Sequence, residues 1–335
     1  MTNGNLNSMN KPFLLKPAGK DYLWGGTRLN NDFSKGIALE PLAETWECST
    51  HPDGPSIVAS GKYKGRLLSQ VLKQHHEYLG THSKTKGELP ILIKLIDARK
   101  DLSVQVHPDD AYAAKYEHGS LGKTEMWYVL DAAKDAQLIY GFYHDMEKSV
   151  LKKSLEDGTV EKFLQKVQVK KDDVFYIKAG RVHAIGAGTL IAEIQESSNL
   201  TYRMYDYHRV DKNGRERELQ IDKALEVVDL QGSDQPRQPM RVLKYKNGCA
   251  SELLCRCKYF QVERLILNTE SCKELAALQT GHTSFEVLLC ISGCGVLFEA
   301  GGEMINFFKG DCIFIPADSV PLKIHGNAQL LKVSC

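Results

Sequence analysis

Short apolar runs separated by turn residues dominate the chain. Leu89–Ile96 is almost continuously apolar, as in a strand covered on both faces, and Leu190–Ile194 alternates. Phe175–Ile177 and Met126–Leu130 are further strand-like runs, and Leu102–His107 is a polar-apolar alternation that ends at Pro108. The pattern therefore predicts a mainly β protein.

Helical periodicity is confined to a few stretches. Apolar residues recur at helical spacing between Leu67 and Leu79, and residues 219–230 show an amphipathic pattern. Met146–Lys166 is typical of a helical pair that is broken at Gly158. We expect helical insertions at about 66–80 and 146–166 in a strand-rich domain.

The polar segment QGSDQPRQP, residues 231–239, is the clearest linker in the chain. We therefore expect a flexible tail at 1–10, a first domain at 11–230, a linker at 231–241 and a second domain at 242–335. Short strands with turn signals between them predict a β-sandwich or barrel for the second domain. These strands are Phe260–Leu267, Phe285–Ile291, Gly295–Glu299, Asp311–Ile315 and Leu330–Val333.

Composition excludes several classes of function. The 335 residues carry a formal net charge of +1, which argues against a nucleic-acid surface or a polybasic membrane patch. No apolar run is long enough to cross a bilayer, and the polar start lacks an apolar signal core, so we expect a cytoplasmic protein. The 9 cysteines include no CxxC pair, which favours reduced thiols packed as small apolar side chains.

Four polar residues in these β-rich segments form a candidate metal site. Gln105 and His107 are two apart in one strand, so both side chains point to the same face. Glu125 opens another strand, and His183 follows a third across a Gly-Arg turn. Two imidazoles, a carboxylate and an amide oxygen are a donor set that suits one Zn²⁺ with a position left open.

Each of these residues also has an ordinary explanation. A single histidine in a strand is usually structural, and Glu125 by itself could be a surface carboxylate. Burying any of them without a partner in an apolar region is costly, however, and a shared cation satisfies all of them at once.

The two halves of the chain resemble each other. TEMWYVLDA in the first resembles SFEVLLCISG in the second, and VKKDDVFYIKAGRVHAIG resembles FFKGDCIFIPADSVPLKIHG. This alignment pairs Ile177 with Ile315, and it places Pro321 opposite His183. The repeat predicts duplicated β-modules, of which the second kept the fold and lost the ligands.

The segments SVQVHPDD, KTEM, AGRVHAIG and TYRMYD resemble type I mannose-6-phosphate isomerases, in their short bacterial form. The resemblance extends from KPAGKDYLWGG to the last strand, and it implies two cupin (jelly-roll) barrels in tandem with a small helical insertion. It also implies a catalytic N-terminal domain with one Zn²⁺ per chain, which interconverts mannose 6-phosphate and fructose 6-phosphate through a cis-enediol. The residues that match the zinc ligands are Gln105, His107, Glu125 and His183.

The same resemblance assigns further residues to the pocket. Arg203 matches the active-site arginine, and Lys123, Ser103, Trp24 and Glu193 match pocket positions. The family usually has aspartate four residues before the arginine, where this chain has Asn199. An amide cannot accept a proton as a carboxylate does, which puts a ring-opening role there in doubt.

The chemistry needs one base that reaches two carbons and a cation that stabilises the enediolate. Lys123 and Glu193 are both candidates for the base, and the sequence does not choose between them. Arg203 could stabilise the enediolate or hold the substrate, and its ordinary alternative is a salt bridge at a strand edge. No Gly-rich loop marks a phosphate site, which we expect at the pocket rim.

Two other functions remain open from the sequence. One is a non-enzymatic sugar-phosphate sensor on the same fold, which Asn199 keeps open. The other is a metal-dependent cupin oxygenase, because two histidines and a carboxylate also bind iron. For partners we expect a small sugar phosphate, no nucleic acid and no membrane, and a monomer or weak homodimer.

Overall fold

The computed structural model describes residues 10–335 except 86, 212, 235, 237, 239, 271 and 273. Most of the expected tail, residues 1–9, lies outside the described residues, as do three positions of the expected linker 231–241. Strands far outnumber helices in the described part, which confirms the mainly β class. In the same part, no helix is both long and apolar enough to cross a membrane.

The first half of the chain contributes thirteen strands among the described residues. Their bounds are β1 Phe13–Lys16, β2 Ala18–Lys20, β3 Glu44–Cys48, β4 Ile57–Val58, β5 Ile91–Ala98, β6 Val104–Val106, β7 Glu125–Ala132, β8 Gln137–Phe142, β9 Leu164–Gln168, β10 Val174–Ile177, β11 His183–Ile185, β12 Thr189–Glu196 and β13 Tyr202–Tyr205.

The second half adds eight described strands, and five α-helices complete the fold. The strands are β14 Lys244–Lys246, β15 Cys249–Arg256, β16 Gln261–Asn268, β17 Ala276–Leu278, β18 Glu286–Glu299, β19 Met304–Phe308, β20 Cys312–Ile315 and β21 Leu322–Ser334. The helices are α1 Arg28–Phe33, α2 Leu68–Gln74, α3 Asp110–Tyr116, α4 Lys148–Glu156 and α5 Ile221–Val227, with 3₁₀ turns at Gly61–Tyr63, His76–Leu79 and Val160–Lys162.

Strands β2, β3 and β5 to β13 form two sheets that face each other, and we call this part of the structure the N-terminal module. One has the strand order β10-β7-β12-β5-β3-β2, and the other has the order β13-β6-β11-β8-β9. Buried side chains from both sheets, among them Trp127, Phe175 and Ile185, form one cluster between them. The candidate ligands lie between the two sheets. Strands β6 and β11 belong to the five-stranded sheet, and β7 belongs to the six-stranded sheet that faces it.

Both sheets of the N-terminal module are also covered on their outer faces. Helices α4 and α5 pack their apolar residues against the five-stranded sheet. The six-stranded sheet packs against the C-terminal module, with Met126, Tyr128 and Ile194 in one cluster with Val287 and Leu331. Every residue of β5 and β12 is therefore buried, as the continuous apolar run predicted for β5.

The C-terminal sheet contains strands from both ends of the chain. Its order is β14-β15-β16-β21-β18-β20-β1-β4, with β17 on β21 and β19 on β18. Strand β1 pairs with β20 in the register Phe13↔Phe314, so the start of the chain completes the sheet built by its end. The predicted domain boundaries at 11–230 and 242–335 stay a prediction.

Strand order confirms the internal repeat. The series β10-β7-β12-β5-β3-β2 of the first module corresponds to β20-β18-β21-β16-β15-β14 of the second. Glu125 pairs with Ile177 in the first module, and Glu286 pairs with Ile315 in the second. The predicted alignment of Ile177 with Ile315 therefore holds in three dimensions.

Some predicted elements differ in extent. The strands expected at Phe285–Ile291 and Gly295–Glu299 are one strand, β18. Its ladder with β21 passes a register shift between Cys290 and Ser292 and continues through Gly293, whose φ is 77°. Residues 164–166, expected to end a helical insertion, belong to β9, since this segment pairs with β8. Only a single 3₁₀ turn, Val160–Lys162, follows Gly158.

Candidate metal centre and active site

Three adjacent strands place candidate residues side by side. Strand β6 lies between β11 and β13, with His183 opposite Gln105 on one side and Arg203 opposite Gln105 on the other. His107 is two residues beyond Gln105, and Glu125 reaches the same space from β7 in the opposed sheet. The structure thus brings together residues that lie up to 98 positions apart, from 105 to 203.

His107, Glu125 and His183 form a compact buried group. One ligand atom from each lies within 4.8 Å of the others, and all three side chains are almost completely buried. His183 Nε2 is 3.4 Å from Glu125 Oε1, and the two Nε2 atoms are 3.1 Å apart. Gln105 Nε2 is 3.4 Å from His183 Nε2, so the fourth predicted ligand adjoins the group.

The protonation of the two imidazoles suits metal binding. Burial lowers the pKa of His183 to about 3, and burial together with Lys123 lowers the pKa of His107 well below its ordinary value. His183 Nδ1 lies 2.7 Å from the Arg181 carbonyl, to which its N–H donates. The lone pair therefore remains on Nε2, which is the atom that faces His107 and Glu125.

The group fits a cation on its own chemistry. Within the described part of the chain, Oε1 of the buried Glu125 accepts no hydrogen bond, and Oε2 has only the Lys123 ammonium at 3.0 Å. Rotation of the Gln105 amide by 180° exchanges its nitrogen for its oxygen, so this residue can also offer an oxygen ligand. A metal ion would satisfy the carboxylate and both imidazole lone pairs at once.

Lys123 adds a positive charge beside these ligands. Its Nζ lies 3.0 Å from Glu125 Oε2 and 3.1 Å from His107 Nε2, and the residue is 4% exposed. Lys123 lies two residues before Glu125, the first residue of β7, and both side chains point toward the group.

A cavity of about 310 Å³ opens beside the ligands, and we call it the site cavity. Its lining includes four cationic side chains against two carboxylates, which gives an excess of positive charge. The charged lining residues are Lys94, Lys123, Arg203, Arg217, Glu44 and Glu193.

Glu193 is held as an ion on the cavity wall. Its Oε1 lies 3.0 Å from Lys94 Nζ, and its Oε2 accepts a hydrogen bond from Trp127 Nε1 at 3.0 Å. Burial alone would raise the pKa of Glu193, but Lys94 and Lys123 outweigh it and lower this pKa to about 2. Lys94 also stands 3.8 Å from Glu44, so it links two carboxylates of the wall.

Arg203 reaches the cavity without a carboxylate partner. Its Nε donates to Ser103 Oγ at 3.2 Å and its Nη1 donates to the Glu218 carbonyl at 2.8 Å. No carboxylate among the described residues lies within 4.0 Å of its guanidinium, so the salt-bridge explanation raised by the sequence finds no support. Asp206 instead pairs with Arg217 and Arg209.

Asn199 and Trp24 also line the site cavity. Asn199 Nδ2 donates to Asp53 Oδ2 at 2.8 Å, which fixes the orientation of the amide, because a carboxylate only accepts. The Asn199 oxygen is therefore the atom left to accept from other groups. Trp24 is buried, lines the site cavity and lies 5.5 Å from the Tyr22 ring.

Sequence reasoning missed several lining residues. Lys94 had the clearest signal, because it is a lone charge inside the apolar run of β5, where an ion needs a partner. Glu44, Tyr22 and Arg217 carried no such signal, since each lies in a mixed polar segment.

Two family models match the chain. The model of the phosphomannose isomerase type I catalytic domain matches residues 13–163, and that of the mannose-6-phosphate isomerase cupin domain matches residues 252–335. The first range also includes β1 and β4, which belong to the C-terminal sheet.

Relatives match over nearly the whole length. The chain is 43% identical over 324 residues to the probable mannose-6-phosphate isomerase GmuF of Bacillus subtilis (strain 168), covering 96% of this chain and 99% of that protein. It is 37% identical over 325 residues to the mannose-6-phosphate isomerase ManA of the same strain, covering 96% and 98%. The crystal structure of the mannose 6-phosphate isomerase from Bacillus subtilis superposes with a TM-score of 0.88 at 34% identity, covering 97% of this chain and 99% of that one.

Proposed function

Since the chain belongs to the type I phosphomannose isomerase family, we propose that it interconverts D-mannose 6-phosphate and D-fructose 6-phosphate at the site cavity. The observation that carries this proposal is the buried group of His107, Glu125 and His183, which contacts Lys123 in the wall of a cavity with excess positive charge. Both features support an isomerase site in this chain.

We propose Zn²⁺ as the metal, with Gln105, His107, Glu125 and His183 as its ligands. Neutral imidazoles, an amide oxygen and a carboxylate are ligands that zinc accepts, and one negative ligand leaves the centre with a net positive charge. Bound there, zinc would supply a Lewis acid for the oxygens of the sugar.

The lining of the cavity suits a phosphorylated sugar. The four cationic side chains exceed the two carboxylates, and Lys94 is already balanced by Glu193 and Glu44. Arg203, which has no carboxylate within 4.0 Å among the described residues, is therefore the cation available to a dianionic substrate and to the charge of an enediolate. Ser103 orients Arg203 through its hydroxyl, and Trp24 supplies an apolar wall.

The reaction moves hydrogen between C2 and C1 through a cis-enediol, which needs one group that exchanges a proton with both carbons. We favour Lys123 over Glu193 for this role, because both oxygens of Glu193 are engaged by Lys94 and Trp127. A pKa of about 2 also makes Glu193 a weak base near neutral pH. Glu193 then acts by holding Lys94, and Asn199 offers its oxygen to a substrate hydroxyl.

Removal of the metal tests the proposal directly. We expect chelation to abolish conversion of mannose 6-phosphate in a coupled assay, and we expect Zn²⁺ to restore it. A chain that keeps full activity after its metal content falls to zero would refute the metal-dependent mechanism. A chain that binds zinc and turns over no mannose 6-phosphate would instead indicate a sugar-phosphate sensor.

The variant His183→Ala tests the role of one metal ligand separately from the stability of the fold. We expect this variant to lose both metal and activity, because it removes one imidazole from a buried group of three, while the C-terminal module stays folded. The exposed His144 offers a matched control, so H144A is expected to keep metal content and turnover. Elemental analysis, the coupled assay and circular dichroism provide the three measurements.

We also propose that the protein acts in the cytoplasm as a monomer or weak homodimer. Sedimentation equilibrium over a hundredfold range of concentration would reveal a dimer, and a stable tetramer would contradict this part of the proposal.

A further inference from the structure

The C-terminal module contains a cavity of about 360 Å³ that we call the C-terminal cavity. Strands β14, β15, β16, β17 and β21 line it, so it lies within the second copy of the repeat. It has no residue in common with the site cavity.

Strand register shows that the two cavities occupy equivalent places. In the first module, Glu193 pairs with Trp127 and with Lys94. In the second, Lys332 pairs with Leu288 and with Glu263. Trp127 and Leu288 each lie two residues beyond the equivalent glutamates, Glu125 and Glu286. Lys332 is therefore the counterpart of Glu193, and Glu263 is the counterpart of Lys94.

Two further positions extend the correspondence. Ile96 pairs with Glu44 in the first module, and Leu265 pairs with Ser251 in the second. All four positions of each set line their own cavity: Lys94, Ile96, Glu193 and Glu44 in the first, and Glu263, Leu265, Lys332 and Ser251 in the second. The C-terminal cavity is thus the duplicated form of the site cavity.

The polarity of the wall is reversed in the second copy. The buried pair Lys94–Glu193 at 3.0 Å has become Glu263–Lys332 at 3.1 Å, and Lys332 also lies 3.3 Å from Glu286. Glu286 is the counterpart of Glu125 in the first module. The Lys332 ammonium contacts Glu286, whereas the imidazoles of His107 and His183 contact Glu125. Among the described residues, no second group of histidine, cysteine and acidic side chains could hold a metal.

The remaining lining is largely apolar, and its charged side chains are Lys244, Lys246 and one carboxylate, Glu274, which accepts a hydrogen bond from the Asn247 side chain. Leu265, Leu267 and Leu330 form part of the wall, and Lys244 and Lys246 stand on the edge strand β14. Lys244 and Lys246 pair with Ser251 and Cys249, which are themselves lining residues. Within the described part of the chain, neither of these two lysines has a carboxylate within 4.0 Å, whereas Lys332 has two.

We propose that the C-terminal cavity is a second ligand site, which binds a small amphipathic anion. The apolar body of the ligand lies against the leucine wall, and its carboxylate or phosphate lies at Lys244 and Lys246. This ligand class differs from the sugar phosphate of the site cavity, because the C-terminal cavity has no metal-ligand group among the described residues and has Leu265, Leu267 and Leu330 in its wall. The C-terminal module would thereby serve recognition without metal chemistry.

Hexanoate provides the test in the full-length protein, with acetate and hexanamide as matched probes. Hexanoate is expected to bind once per chain in an NMR titration, about tenfold or more tightly than acetate, which lacks the apolar body. Hexanamide, which lacks the charge, is also expected to bind more weakly. Saturating mannose 6-phosphate should leave hexanoate bound, since the cavities are separate; displacement would place hexanoate in the site cavity and overturn the proposal.

Two variants, K244E/K246E and S251F, test the location of the site, and K148E/K152E is the control. K244E/K246E reverses the rim charge on an exposed strand and is expected to weaken hexanoate about tenfold, since two attractive contacts become repulsive. K148E/K152E makes the same change of charge on the exposed face of α4 and should bind hexanoate as wild type does. S251F fills the cavity from its wall and should abolish binding, with the thermal midpoint reporting that the fold is intact. Absence of hexanoate binding, or equal affinity in K244E/K246E and wild type, would overturn the proposal.

Discussion

Arg203 is held in place by uncharged groups. The Ser103 hydroxyl and the Glu218 carbonyl accept from its guanidinium, and the Gln220 side chain accepts from its backbone N–H at 3.1 Å. These contacts orient the side chain without neutralising it, so its charge remains available to the site cavity. A group held in this way stabilises negative charge that develops during a reaction.

We expect Arg203→Ala to keep its metal and to lose turnover by about 100-fold, in line with the loss of one charged group at a reacting oxygen. R203K should recover only part of the activity, because an ammonium lacks the planar donor fork. Metal content and kcat/KM for mannose 6-phosphate are the measurements. Wild-type kcat/KM in R203A would show that the charge plays no part.

The Asn199–Asp53 contact yields a second prediction at the same scale. In N199D two carboxylates would stand at the 2.8 Å separation that now joins an amide and a carboxylate. Repulsion should turn the new side chain away and raise KM more than it changes kcat. D53N/N199D restores one amide and one carboxylate, so we expect it to recover much of the lost affinity. Equal KM values in N199D and wild type would contradict this role.

At the scale of elements, the central ladder of β5 and β12 determines where charge can be buried. The residues of both strands are covered on both faces, yet the ladder contains Lys94 opposite Glu193. Strand pairing places these two side chains next to each other in the ladder. The Trp127 indole from β7 then satisfies the second carboxylate oxygen.

Lys94→Met would leave Glu193 as a buried carboxylate without its main partner. We expect the free energy of unfolding at neutral pH to fall by about 3–5 kcal/mol. K94M/E193Q should recover most of this loss, since the amide can still accept from Trp127. The exposed pair Lys73–Glu88, 3.9 Å apart, supplies the control, and K73M should cost less than about 1 kcal/mol.

The same pair predicts a pH dependence of stability. The pKa of Glu193 is about 2 in the folded protein, below its ordinary value of 4.5, so the unfolded chain binds the proton more readily. The stabilisation is therefore complete above about pH 4.5 and is lost as the pH falls toward 2. Urea unfolding of wild type and K94M across pH 6 to 3 should converge in acid, and parallel curves would contradict the assignment.

Local patterns predicted the elements better than their junctions. Three local signals are found in the structure. They are the apolar run of β5, the alternation that puts Gln105 and His107 on one face, and the sequence repeat that aligns Ile177 with Ile315. The continuity of β18 across Gly293 depends on its long ladder with β21, which no local pattern encodes. The contact of Asp53 with Asn199 joins residues 146 positions apart, so it too required the fold.

At the scale of the whole molecule, the two modules share a core. One buried cluster contains Phe13 and Val58 from the start of the chain, Tyr128 from the six-stranded sheet, and Phe285 and Val333 from the C-terminal sheet. Removing either module would expose this surface. We therefore expect the two modules to unfold in a single cooperative transition.

Phe13→Ala tests that coupling from the first described strand. The Phe13 ring stacks on Phe314 at 5.3 Å, and Phe314 stacks on Phe285 at 5.3 Å. Its loss should lower the free energy of unfolding by about 3–5 kcal/mol and speed amide exchange in β20. M304A, at a residue that is 64% exposed, should change stability by less than about 0.5 kcal/mol. Unaltered exchange in β20 would show that β1 is only a surface addition.

The pairing of β1 with β20 also has a consequence for biosynthesis. Phe13 is synthesised 301 residues before its partner Phe314. At a synthesis rate of about 5–20 residues per second, the nascent segment waits roughly 15–60 s with its apolar side chains and strand edge uncovered. A chain stalled before residue 312 should therefore attract chaperones at its amino end, and release of the finished polypeptide should end that exposure.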